Sequence, residues 1–264
     1  MKVAVCIKQV PDTEARLRVR KDGLGIDEED LPLVINESDG YALEEALKIA
    51  ETSGGEVVAI SLGGERVREA LRKALALGAA RAVHLDDPAF QGGDALATGK
   101  ALAAAIKAEE FDLVLTGSQS DDAGYGSTGS IVAGHLGWPH AWLVMGVEIE
   151  DGGKSARVTR EMESGVNEIV RLALPAVIEV QAGINQPRYA SLKGIMGAKR
   201  KEMAGRSAAD LGLSETEVGV AASRLETLAV FFPQTGDAAE IFEGDVSESA
   251  RLLVEKLQKE ARVL

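Results

Sequence analysis

A glycine- and serine-rich segment, SQSDDAGYGSTGS at Ser118–Ser130, follows the apolar run LVLTG at Leu113–Gly117 and leads into IVAGHLGW, which reads as a helix. Strand, loop and helix in that order make an anion site. The N–H groups at a helix start have no intrahelical acceptor, and the helix dipole adds partial positive charge there. Ser118, Ser127, Thr128 and Ser130 offer hydroxyl donors as well. The predicted chemistry is capture of a nucleotide phosphate without a lysine, although the same glycines would also suit a plain surface loop. Gly124–Gly129 matches G-x-G-x-x-G, but it begins seven residues past the strand end, whereas a dinucleotide fingerprint needs the turn directly after the strand. GDALATGKA, from Gly93, imitates a P-loop. Five residues separate Gly93 from Gly99, and Ala101 stands where Ser or Thr would bind magnesium, so this segment is read as a helix start.

Other clusters carry weaker signals. Asn36-Glu37-Ser38-Asp39 precedes a helical run; it suits an N-cap, and it would equally suit a ribose or base if it shared a crevice with the Gly117–Thr128 loop. Glu161 and Glu163 flank Met162, and strand alternation would put both carboxylates on one face, as acid–base partners or as solvated acids on an edge strand. Cys6 lies within an apolar strand, and His84, His135 and His140 have no signalled partners, so no nucleophile–base set and no metal cluster is expected. Arg188, Lys193, Lys199, Arg200, Lys201 and Arg206 form a basic island interleaved with Tyr189, Leu192, Ile195 and Met196. That mixture suits either a solvated face or a docking peptide whose apolar anchors fill a pocket while its charges steer an acidic partner.

These residues need elements to hold them. VAVCI (3–7), VVAISL (57–62), AVHLD (82–86) and LVLTG (113–117) are continuous apolar runs, the pattern of strands covered on both faces. Between them, Leu43, Ala46, Leu47 and Ala50 recur at helical spacing, as do Val67, Ala70, Leu71, Ala74 and Leu75. The predicted fold is α/β, a mostly parallel Rossmann-like sheet with helices on both faces, antiparallel additions after about residue 140 and a C-terminal arm. A terminal helix from Val246 is expected to open with a capping box, Asp245 to Glu248. With 29 Lys and Arg against 42 Asp and Glu, the net charge of −13 argues against nucleic acid as a partner. A single cysteine allows no intramolecular disulfide. No apolar run reaches the roughly 20 residues of a membrane span, and the run at the N-terminus is interrupted at Lys8, so a soluble, cytoplasmic protein is expected.

The order VAVCIKQVPD, Asn36–Asp39 with LEEALKI, VVAISLG, ALALGA, LVLTGSQSDDAGYGSTG, REME at Arg160–Glu163, LPAVIEV and NQPRYASLKGIMGAKRK at Asn185–Lys201 resembles the β subunit of electron transfer flavoproteins over nearly the whole chain. The last motif is specific to that family. The resemblance implies a heterodimer whose α subunit holds most of the FAD, with AMP bound structurally in β. It places AMP contacts on Cys6, Asn36, Glu37, Ser38, Asp39, Leu62, Gly117, Ser118, Gln119, Asp122, Gly126, Ser127 and Thr128. It makes Leu192, with Tyr189, Ile195 and Met196, the anchor of a loop that docks on flavoprotein dehydrogenases such as acyl-CoA dehydrogenases, and makes Glu161 a control point for electron transfer. Two departures stand out: Ser127 occupies a position where many members have Gln, and Thr13 one where some have an aromatic residue near the flavin.

The implied function is an electron carrier, not an enzyme, that passes electrons to a quinone oxidoreductase. The alternatives are a bifurcating flavoprotein with FAD in the AMP site and a non-redox nucleotide-binding module. Residues 1–190 are expected to form the nucleotide-binding domain, and 191–264 the recognition loop and the arm that wraps the α subunit.

Overall fold

A computed structural model describes residues 1–233 and 239–264. The chain runs β1 (Lys2–Cys6), β2 (Gln9–Pro11), β3 (Leu33–Ile35), α1 (Glu37–Ser53), β4 (Glu56–Leu62), α2 (Val67–Leu77), β5 (Arg81–Leu85), α3 (Ala95–Lys107), β6 (Leu113–Gly117) and α4 (Thr128–Leu136). It continues through β7 (His140–Glu150), β8 (Ser155–Glu161), β9 (Asn167–Ala173), β10 (Ala176–Val180), α5 (Leu192–Ala198), β11 (Met203–Arg206), α6 (Gly219–Ala222) and α7 (Val246–Lys256).

A nine-stranded sheet has the order β11-β5-β4-β1-β6-β10-β7-β8-β9. Seven strands are parallel; β8 then adds antiparallel to β7, and β9 antiparallel to β8. The predicted α/β class and the antiparallel additions are both observed. Alternation along β1 explains the two cores. Val3 and Val5 face Leu43 and Ala46 of α1 and Leu71 and Ala74 of α2 on one side; Ala4 and Cys6 face Leu102 and Ile106 of α3 and Val132 of α4 on the other. Each such fully buried Leu or Ile contributes about 1.5–3 kcal/mol, enough for the sheet to hold irregular loops at its rim.

Order reverses at β1. The chain moves outward from β1 to β4 and β5, then returns through α3 to β6 on the opposite flank of β1. A reversal of this kind leaves a crevice at the carboxyl ends of the two strands, where open α/β sheets take ligands.

Three local expectations change. The sheet gains β11, parallel to β5, from beyond residue 190, so the folded core draws on a stretch the sequence reading gave to the arm. Glu161 ends β8 and Glu163 opens a tight turn at Glu163–Gly165, so the two carboxylates do not share one strand face. Asp245 caps α7 by accepting the Ser247 N–H at 2.8 Å, but Glu248 pairs with Arg251, so the reciprocal half of the box is not formed. Part of the expected C-terminal arm, residues 234–238, lies outside the described residues.

Candidate functional site

The loop after β6 and the start of α1 are sewn together by buried polar groups. Asn36 uses both ends of its amide: Nδ2 donates to the Gln119 carbonyl at 2.9 Å and to Ser38 Oγ at 3.0 Å, while Oδ1 accepts the Asp121 N–H at 2.9 Å. Ser38 Oγ donates to the same Gln119 carbonyl at 2.7 Å. Asn36 holds the N-cap position of α1 without capping it; Asp121, from the other loop, accepts the Glu37 N–H at 3.2 Å instead. The Asn36–Asp39 segment and the Gly117–Thr128 loop thus satisfy each other's backbone groups: Asp121 caps α1, and Asn36 accepts the Asp121 N–H. Gly117 is required at the seam, because a Cβ there would strike Ser38 and Asp39.

Asp39 joins three elements. Its Oδ1 accepts the Gly117 N–H at 2.9 Å and its Oδ2 the Lys8 N–H at 2.7 Å. Burial pushes its carboxyl up to about 7 against the pull of those two N–H bonds. Because the folded state then holds the proton more tightly than the unfolded chain, Asp39's contribution to stability is fully present below its ordinary value of 3.8 and is lost as pH rises through about 7. Asp39→Asn, with one acceptor for two N–H groups, is expected to cost about 1–3 kcal/mol in urea unfolding, a deficit that narrows between about pH 5 and 8. A deficit that stays constant over that range would show Asp39 ionised throughout.

Between these loops and α3 lies a cavity of about 260 Å³ at the β1/β6 reversal. Ten of the predicted contacts line it: Cys6, Asn36, Asp39, Leu62, Gly117, Ser118, Gln119, Gly126, Ser127 and Thr128. Glu37, Ser38 and Asp122 line an adjoining cavity on the far side of the same loop, beside Thr13 and Trp142. Lys8, Gly93, Asp94, Ala95, Thr98, Leu102 and Thr116 also line the first cavity and were missed. The signal for Gly93–Thr98 was the helix start already recognised there; what the sequence could not show is that α3 packs beside α4.

Two helix starts therefore face the cavity, and they differ. Asp94 caps α3, accepting the Ala97 N–H at 2.9 Å, and that bond, the strongest of several, holds its carboxyl below its ordinary value. An anion is repelled there. Ser127 gives α4 no side-chain cap, so its first N–H groups lack an acceptor. Gly129 lets that turn lie against β10, since a Cβ would collide with Glu179 and Thr116. Ser118 Oγ is buried at 6% exposure without a hydrogen-bond partner. Ser130 Oγ instead donates to the Ser127 carbonyl at 2.8 Å. An anion fits at α4, and an aromatic base fits against Cys6, Leu62 and Leu102. Burial, with Asp39 nearby, pushes the Cys6 thiol up to about 12, leaving it an apolar wall and not a nucleophile.

A second feature is presented elsewhere. Arg188 clamps α1, with Nε to Glu44 at 2.8 Å and Nη1 to Glu51 at 2.5 Å, while Asn185 Nδ2 donates to the Tyr41 carbonyl at 3.0 Å. Lys201 Nζ donates to the Leu75 and Ala79 carbonyls at the end of α2, at 2.8 and 2.7 Å. Between these stems Tyr189 (97%) is exposed just ahead of α5, and α5, capped by Ser191, exposes Leu192 (75%), Met196 (66%) and Ile195 (50%). Two of the six basic residues thus serve the scaffold, and the apolar side chains face outward.

A family model described as the electron transfer flavoprotein domain matches residues 23–211. The electron transfer flavoprotein subunit beta of Methylophilus methylotrophus is 43% identical over 257 residues, 97% of each chain. The chain belongs to the electron transfer flavoprotein β-subunit family. The subunit beta of Thermoanaerobacterium thermosaccharolyticum is 40% identical over 97% of this chain and 98% of its own. Subunit CarD of the caffeyl-CoA reductase-Etf complex of Acetobacterium woodii is 38% identical over 98% of each chain. Within this electron transfer flavoprotein β chain, Glu161 lines neither cavity. His84 binds the Gly63 carbonyl, and His140, at the start of β7, pairs with the buried Glu179, partners that the sequence did not signal. Among the described residues no cluster suited to a metal ion occurs, and no described helix is long and apolar enough to cross a membrane.

Proposed function

We propose that this chain is the β subunit of a heterodimeric electron carrier, holding AMP in the β1/β6 cavity while an α subunit holds most of an FAD. The observation that carries the nucleotide part is the uncapped start of α4 beside the unpartnered, buried Ser118 hydroxyl. Phosphate supplies acceptors for both, and the Cys6–Leu62–Leu102 wall takes the base. FAD, when bound, supplies the redox chemistry; the protein's part is placement and electrostatics. Leu192 and its neighbours form the docking face for flavoprotein dehydrogenases, and Glu161 tunes transfer at that encounter. Electrons leave to a quinone oxidoreductase. The core reaches to about Ala222, and residues 223–264 form the arm that embraces the α subunit.

The match to a subunit of a reductase–Etf complex supports a second reading, in which the cavity holds FAD and the complex bifurcates electrons. Anaerobic mixing of the purified heterodimer with a substrate-reduced acyl-CoA dehydrogenase tests the carrier role: the heterodimer's flavin absorbance should bleach. An unbleached flavin would contradict it.

A further inference from the structure

Lys8 is the one cationic side chain among the described residues that line the first cavity. It is also the point where three parts of the site meet. Its N–H donates to Asp39, its carbonyl accepts the Asn36 N–H at 3.0 Å, and its Nζ reaches across to the glycine-rich loop, 2.6 Å from Asp122 Oδ1 and 3.4 Å from Ser120 Oγ. Burial alone would raise the Asp122 pKa, but the Lys8 and Ser120 bonds outweigh it and keep the carboxyl below its ordinary value.

The need for a cation follows from the loop's own charge. Asp121 and Asp122 are adjacent on the far side of a loop that has to receive a phosphate dianion, and Asp39 and Asp94 line the first cavity itself. Asp121 is occupied with the Glu37 N–H of α1 and Asp94 with the start of α3. Asp122 has only its own loop and Lys8. We infer that Lys8 is a positioning residue for the nucleotide: from the wall of the first cavity it neutralises Asp122 on the far side of the loop and latches that loop to the segment after β1, so that the loop is held in place, with its charge reduced, where the α4 start meets a phosphate. This rests on the nucleotide reading of the cavity.

As an exposed ion pair the contact adds little to folding, so its loss should show in ligand affinity more than in stability. The test uses the heterodimer co-expressed with its α subunit, stripped of nucleotide and titrated calorimetrically with AMP. Lys8→Met should weaken AMP binding about tenfold with its melting temperature nearly unchanged, Lys8→Arg should stay within about twofold, and Lys8→Met with Asp122→Asn should recover most of the loss. A Lys8→Met variant within twofold of the parent would overturn the proposal. A double variant no better than Lys8→Met would overturn it too, because the effect would then not run through Asp122. A parent complex that neither carries nor binds AMP would remove the nucleotide reading itself and the proposal with it.

Discussion

Cutting the chain after Arg224 should abolish assembly with an α subunit while leaving the nine-stranded sheet folded. The cut keeps β11, α6 and the Arg224 N–H bond to Asp94 at 2.6 Å. What it removes is apolar and uncovered: Leu228, Phe231, Ile241 and Val246 are each more than three-quarters exposed, and α7 buries no residue. Asp245 caps α7, and Arg251 pairs with Glu248 and Glu255 along one side, leaving Leu253 and Val254 without a core to enter. A helix of 11 residues is marginal alone and needs such a surface. Each of those side chains, once covered by a partner, is worth about 1.5–3 kcal/mol, so losing them together removes the interface. The core should lose less than about 1 kcal/mol. Co-purification with a tagged α subunit, alongside thermal melts of the free chain, separates the two effects. Undiminished co-purification would assign the α-subunit contact to another face.

The second large effect is expected at the α5 platform. Leu192→Arg should raise the KM for a reduced dehydrogenase by about 30-fold, the loss of one central anchor of about 2 kcal/mol, while flavin content and heterodimer yield stay at parental values. The side chain is three-quarters exposed and touches no core, so folding does not depend on it. Arg188→Ala provides the internal comparison. It leaves all four anchors present but frees the stem from Glu44 and Glu51, and it should raise the same KM by a smaller factor. Unchanged KM values in both variants would contradict a docking role for the platform.

Fold and site were legible to different depths for physical reasons. Strands buried on both faces must be apolar throughout, so β1, β4, β5 and β6 stood out in the sequence with boundaries within a residue. The glycine-rich loop was legible because Gly117 and Gly129 answer to close approaches that no side chain permits. β11, only Met203–Arg206, joins the sheet by backbone pairing to β5 and needs no apolar pattern of its own. Lys8 read as a break in an apolar run, because its partner Asp122 lies 114 residues away. Gly93–Thr98 was set aside for lacking P-loop spacing, and its place at the cavity comes from the α3 crossover and not from any motif. The Tyr189–Met196 anchors were legible in kind, as apolar residues among cations. That Arg188 and Lys201 belong to the scaffold emerges only when α1 and α2 are in place.

The central claim is that this chain completes a flavin-bearing carrier and itself holds a mononucleotide. Denaturing the heterodimer purified after co-expression and quantifying what it releases should give about one FAD and about one AMP per complex. About two FAD and no AMP would move the cavity to the bifurcating reading, and release of no flavin would contradict the electron-carrier account outright.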